Sequence, residues 1–190
     1  MADLVTAALA NPINRAILQR LPMLGLQDAW LVAGCVYQSY WNVLSGRPAT
    51  EGIKDYDIFY FDDSDLSYEA EDVAIRRAQL LFADLDALID LKNQARVHLW
   101  YKDRFGIDYP PLTSTTDAIS RFQIRCTCVG LQPKIDGSLE LHAPYGLGEL
   151  TRGNLLPNIN CPAREGITAK AESYRARWTW LTIASVNEGN

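Results

Sequence analysis

Between residues 31 and 61 the chain reads LVAGCVYQSYWNVLSGRPATEGIKDYDIFYF, and this stretch limits the folds open to it. The apolar triplet at residues 31–33 predicts a short strand that stops at Gly34-Cys35. Val36, Tyr37, Tyr40, Trp41 and Leu44 then fall on one face of a helix, which Gly46 and Pro48 bring to a stop. A second strand carries Asp55 and Asp57 into the apolar run Ile58-Phe59-Tyr60-Phe61. Strand residues two apart share a face, so the two carboxylates project together. Like charges held side by side on a half-buried strand repel; an exposed edge or a divalent cation accommodates them. The strand–glycine–helix junction adds backbone N–H groups at a helix N-terminus, where a phosphate is favoured.

The rest of the chain predicts an α/β (α+β) fold, a small mixed sheet packed by helices. Two short helices are expected over residues 2–21, broken at Asn11-Pro12, with Asn11 as the cap of the second. After an acidic turn, Ser67 caps a helix whose apolar positions step from Ala70 through Ala74, Ala78 and Leu81 toward Leu88. A third strand is expected over residues 88–101. Alternation along it sets Asp90, Lys92, Gln94, Arg96 and His98 on one face, which either meets solvent or lines a polar site. Ser114 or Thr115 starts a short helix through Phe122. Residues 124–131 and 138–141 form a hairpin turning at Asp136-Gly137, with Cys126 and Cys128 on one face. Residues 162–183 read as one long helix, mildly basic through Arg164, Lys170, Arg175 and Arg177. The expectation is a single domain over 1–190, with a core at about 25–150 and a helical extension over 151–190.

Composition narrows the function. A net charge of −5 disfavours nucleic acid as a general partner, because backbone binding calls for a basic face. The acid is concentrated between residues 51 and 72, where Lys54 is the single base. Such a field gathers cations. The four cysteines, Cys35, Cys126, Cys128 and Cys161, have no zinc-site spacing. No apolar run reaches membrane-spanning length and no signal-peptide pattern opens the chain, so a cytoplasmic protein without membrane contact is expected.

A glycine opening a helix, paired strand carboxylates about twenty residues later and a further carboxylate on a following strand form a constellation that resembles the polymerase-β-like nucleotidyltransferase superfamily. Its motif is hydrophobic–Gly–(Gly/Ser), then Asp-hydrophobic-(Asp/Glu), and it stands here as Val32-Ala33-Gly34-Cys35 and Asp55-Tyr56-Asp57. The chain is more closely similar to an uncharacterised bacterial nucleotidyltransferase-like family within it. That likeness is carried by Ala33-Gly34, Trp41, Lys54-Asp55-Tyr56-Asp57-Ile58, Tyr60-Phe61-Asp62, the block KNQARVHLWY over residues 92–101, and Ala143-Pro144-Tyr145-Gly146-Leu147.

The resemblance implies metal-dependent transfer of a nucleoside monophosphate from a nucleoside triphosphate to a hydroxyl acceptor, with pyrophosphate released. Asp55, Asp57 and a third carboxylate, Asp90 or else Glu140, would act as catalytic residues and hold two Mg2+ ions. Amides after Gly34 and at Cys35 would cradle phosphates. Lys92 and Arg96 would neutralise phosphate charge, and His98 would orient the nucleotide or acceptor. The acceptor could be a small molecule, a protein side chain or an RNA end. The alternative is a catalytically inactive module that binds nucleotide or metal.

Overall fold

The computed structural model describes residues 3–184. Helices α1 (Leu4–Leu9) and α2 (Pro12–Arg20) open the chain, and the Asn11 side chain caps the second by accepting from the Ile13 and Asn14 amides. Strand β1 (Trp30–Val32) runs directly into α3 (Gly34–Leu44). Next come β2 (Tyr56–Tyr60) and α4 (Tyr68–Leu81), the latter started by Ser67, whose hydroxyl accepts from the Ala70 amide. The chain continues through β3 (Ile89–Asn93), α5 (Val97–Phe105), α6 (Thr115–Ser120), β4 (Gly130–Pro133) and β5 (Leu139–His142). It closes with α7 (Gly148–Arg152), β6 (Asn154–Leu155), α8 (Ile167–Arg177) and β7 (Thr182–Ile183). Among the described residues no helix is long and apolar enough to cross a membrane.

Five strands make one mixed sheet in the order β3-β2-β1-β4-β5. Strands β2 and β3 are parallel; the other neighbours are antiparallel. Alternation splits the sheet into two faces. Leu31, Tyr56, Ile58, Tyr60, Leu91 and Leu131 lie in the larger core with α1, α2 and α3. Trp41 is fully buried there, with the rings of Tyr37, Tyr174 and Trp178 between 5.0 and 5.6 Å from its own. Trp178 donates its indole N–H to the Asn42 side chain at 3.1 Å, which locks α8 onto α3. Burying aromatic rings of this size contributes roughly 2–3 kcal/mol each. On the opposite face Trp30, Val32 and Phe59 pack with Ile119, Phe122 and Cys128. Phe59 also meets the small cluster of Val97, Leu112 and Ala118.

Three elements depart from the sequence expectation. The third strand ends at Asn93 rather than continuing to residue 101. The Asn93 side chain accepts from the Ala95 and Asp62 amides and donates to the Asp62 carbonyl, so the chain turns through one 3-10 turn into α5. The hairpin's first strand is β4 alone. Residues Arg125–Thr127 form a 3-10 turn held by the Thr127 hydroxyl on the Ile124 carbonyl, so Cys126 and Cys128 do not share a strand face and are buried in separate clusters. The long final helix shrinks to α8. It starts after Gly166 at φ +78°, and Trp178 leaves the helical region, freeing the chain to pair β7 with β6.

Candidate active site

Strand β2 begins at Tyr56, so Asp55 stands just before it, exposed, and Asp57 is the second strand residue, half-buried. The register β1–β2 sets Asp57 opposite Val32, the residue that leads into α3. The parallel register β2–β3 sets Asp57 opposite Asp90. Three carboxylates therefore gather where the ends of three strands meet. Burial, then the charges of Asp55 and Asp90, push the Asp57 carboxyl up to about 7, with Lys92 and Lys170 opposing them. Among the described residues the carboxylates of Asp55 and Asp57 take part in no hydrogen bond or ion pair. Asp90 is ion-paired to Lys92, two residues along the same strand face.

Glu140 lies elsewhere. It sits on β5, three strands from β2 and so about 14 Å away, paired to Lys134. Only Asp90 of the two candidates shares the carboxylate cluster.

The junction from β1 to α3 places its unusual backbone one residue before the expected glycine. Ala33 has φ +60° and ψ −138°, a conformation that suits glycine, and Gly34 is the first helical residue. The pair matching a Gly-(Gly/Ser) motif is thus Ala33-Gly34, and Cys35 lies beyond it. The Cys35 side chain is fully buried, its thiol bonded to the Val32 carbonyl at 3.1 Å, and burial holds its pKa well above the ordinary thiol range. Its contribution to a phosphate is therefore limited to its backbone amide. The amides of Gly34 and Cys35 donate to no backbone carbonyl among the described residues. They are the free donors expected at a helix start.

Lys92, Arg96 and His98 separate. Lys92 stays on the polar face, at the wall of a cleft of about 530 Å³ beside the carboxylates. Arg96 is turned away, ion-paired with Glu71 and donating to the Leu66 carbonyl. Helix α5 presents Val97, Trp100, Tyr101 and Phe105 to the cleft, a helical spacing that leaves His98 off it.

Lys170 joins the site from α8. Tyr174, one turn on, bonds its hydroxyl to that of Tyr37 at 2.5 Å, and this fixes the helix with Lys170 on the cleft wall. Burial lowers the Lys170 pKa, and the Asp57 charge pulls it back. Among the described residues its ammonium has no hydrogen bond or ion pair, whereas Lys92 and Arg121, the other cations lining the cleft, are held by Asp90 and Asp117. No local pattern separates Lys170 from its solvated neighbours on the helix. Arg177, by contrast, is committed to structure, donating to Gln38 and to the Glu51 and Gly52 carbonyls.

Among the described residues no three His, Cys, Asp or Glu side chains are grouped tightly enough to hold a metal as they stand. The donor chemistry nevertheless suits a hard divalent cation: carboxylate oxygens only, two groups unpartnered, and one of them raised by burial and then by its neighbours' charge. Completing the set requires Asp90 to leave Lys92.

The model of a nucleotidyltransferase family matches residues 19–183. An NMR structure described as revealing a CCA-adding enzyme head domain superposes with a TM-score of 0.75 at 28% identity, over 96% of this chain and 95% of that one. A tRNA-processing enzyme in an apo form superposes with a TM-score of 0.56 at 10% identity, over 93% of this chain and 43% of the other, a likeness of fold alone. No curated protein matches the sequence.

Proposed function

The chain belongs to this nucleotidyltransferase family, and on that premise we propose that it moves a nucleoside monophosphate from a nucleoside triphosphate to an acceptor hydroxyl, releasing pyrophosphate. The observation that carries the reading is the convergence of Asp57 on Asp90 and Asp55, with the Asp57 carboxyl raised to about 7 by burial and by their charges. Asp55, Asp57 and Asp90 would hold Mg2+, which supplies charge neutralisation at the triphosphate and polarises the reacting phosphorus. The amides of Gly34 and Cys35 receive the outer phosphates. Lys170 meets the phosphate charge from the opposite wall, and Lys92 joins it once Asp90 has been drawn away. Asp90, the carboxylate on the neighbouring strand, accepts the proton of the attacking hydroxyl once it has left Lys92.

The similar structure described as a CCA-adding enzyme head domain favours a nucleic-acid acceptor over a small molecule or protein. The net charge of −5 then confines contact to the acceptor's end. One observation favours the non-catalytic alternative: Asp90 is neutralised by Lys92, which leaves two free carboxylates instead of three. Calorimetric titration of Mg2+ with each of the four ribonucleoside triphosphates, run beside a pyrophosphate-release assay, separates the two. Metal-dependent binding that is lost in Asp55→Ala/Asp57→Ala, with pyrophosphate released in the presence of an RNA acceptor, is the expected result. Binding with no turnover on any acceptor leaves the non-catalytic module.

A further inference from the structure

The cleft beside the carboxylates is built differently from the phosphate end. It opens beyond Phe59, two residues past Asp57 on β2, about 6–7 Å along the strand, and beyond Lys92, two residues past Asp90 on β3. Its walls are aromatic. Trp100, Tyr101 and Phe105 come from α5, Tyr109 from the following loop and Phe122 from the loop just past α6. Tyr101 touches both Phe105 and Tyr109, at 4.7 and 4.5 Å between ring centroids. These rings are not all sealed into a core: Phe105 keeps 48% of its surface open. An aromatic wall left open beside a charged site is costly in water unless something flat covers it.

We infer that this cleft holds the nucleoside of the triphosphate, its base stacked on the ring surface that α5 presents. The inference rests on the nucleotidyltransferase reading and adds to it which part of the substrate goes where. The order along the sheet supports it. Free helix amides stand at Gly34, the carboxylates at Asp57 and Asp90, and the aromatic wall past Phe59 and Lys92. A triphosphate whose outer phosphates meet the amides and whose α-phosphate meets the carboxylates sends its nucleoside toward the cleft. Lys170 lines the same cleft from α8, where the nucleoside joins its phosphate. A volume of about 530 Å³ accommodates a base and ribose, within the ordinary range of small-ligand sites. Stacking tolerates any base, so the site commits to a nucleobase and not to one of the four.

The test compares binding of magnesium-ATP and of magnesium tripolyphosphate, which lacks a nucleoside, by calorimetry. Wild type is expected to bind ATP at least about tenfold more tightly than tripolyphosphate. Phe105→Ala and Tyr101→Ala/Phe105→Ala are expected to lose that advantage and to keep the tripolyphosphate affinity, while Tyr101→Phe keeps both. An ATP affinity unchanged in the double variant overturns the inference, as does an equal loss for the two ligands. So does an unchanged ATP affinity with a raised KM for the acceptor, which would give the cleft to the acceptor. If tripolyphosphate binds the wild type with metal and the nucleoside adds nothing, the cleft assignment fails while the phosphate site stands. If neither ligand binds, the functional reading and the cleft fall together.

Discussion

Asp57 and Asp90 face each other as register partners across the parallel pairing of β2 and β3, on the sheet face that also carries Phe59. Burial of Asp57, then the charges of Asp55 and Asp90, make the Asp57 carboxyl harder to ionise. The fold tolerates the arrangement because the tyrosines and isoleucine alternating with Asp57 are buried on the other face, so the strand's register is fixed by its core side. The strain of the site is set by packing that has nothing to do with it.

The metal-free protein should become more stable when Asp57 loses its charge. With a folded pKa of about 7 against an unfolded value near 3.8, unfolding releases a proton between those pH values. The contribution of this group to stability therefore falls as pH rises from about 4 to about 7, and the full penalty persists above. Asp57→Asn removes it. Thermal melts across pH 4–8 should show the variant more stable at pH 7.5 by on the order of 2–4 kcal/mol, and the difference closing toward pH 4. Magnesium should raise the melting temperature of the wild type and leave the variant unmoved. A wild-type curve parallel to that of the variant across this range would show that the carboxylates do not repel as described.

Lys170 should matter to phosphate binding and not to folding. Its ammonium has no protein partner, so Lys170→Ala removes a half-buried charge without orphaning another group. Affinity for magnesium tripolyphosphate should fall about tenfold, the size of one charge-assisted contact, with the urea midpoint unchanged or higher. Lys170→Arg should restore most of the affinity. A variant that unfolds more easily and binds phosphate normally would make Lys170 a packing residue.

Ala33 carries a backbone conformation that L-residues rarely adopt, at the junction that aims the α3 amides. Ala33→Gly relieves the clash at its Cβ, offset partly by the greater entropy of the unfolded glycine chain. Urea titration should give a net gain of about 1 kcal/mol. Ala33→Val should cost more than that, because a branched Cβ suits this region even less.

The parts of the site that could be read from the sequence are those written in local pattern. Asp55 and Asp57 lie in an alternating strand whose apolar partners announce its buried face, and Gly34 follows an apolar triplet. The segment after Asp90 was ambiguous for a physical reason. Lys92, Gln94, Arg96 and His98 alternate as a strand face should, while Val97, Trp100, Tyr101 and Phe105 recur as a helix face should. What decides between them is tertiary: the Asn93 side chain closes on the backbone of Asp62, thirty-one residues away, and ends the strand. Lys170 was hidden for the converse reason. Its neighbours Arg164 and Arg175 are exposed, and only the docking of Tyr174 and Trp178 on α3 shows that Lys170 looks inward. Part of the acidic stretch over residues 51–72 serves local structure. Asp65 and Asp62 cap turns, and Glu51 and Asp72 pair within their own segments.

Arg96 gives the sharpest contrast between a phosphate ligand and a structural cation. The Arg96 and Glu71 side chains are each 12% exposed and form an ion pair, and Glu71 also accepts from the Asn93 amide at 2.9 Å. Arg96 donates in addition to the Leu66 carbonyl at 3.0 Å. Together these bonds join α4, the segment before it and the β3–α5 turn, so Arg96 holds the C-terminal end of β3, beside Lys92. Arg96→Ala leaves Glu71 charged and nearly buried with one donor remaining. The expected cost is about 2–4 kcal/mol in urea unfolding, and Arg96→Ala/Glu71→Gln should recover part of it, since the second change removes the orphaned charge. Affinity for magnesium tripolyphosphate in the folded Arg96→Ala protein should stay within about twofold of the wild type, below the loss a charge-assisted contact would bring. A large loss of phosphate affinity at unchanged stability would instead return Arg96 to the site and require the Glu71 pair to open when nucleotide binds.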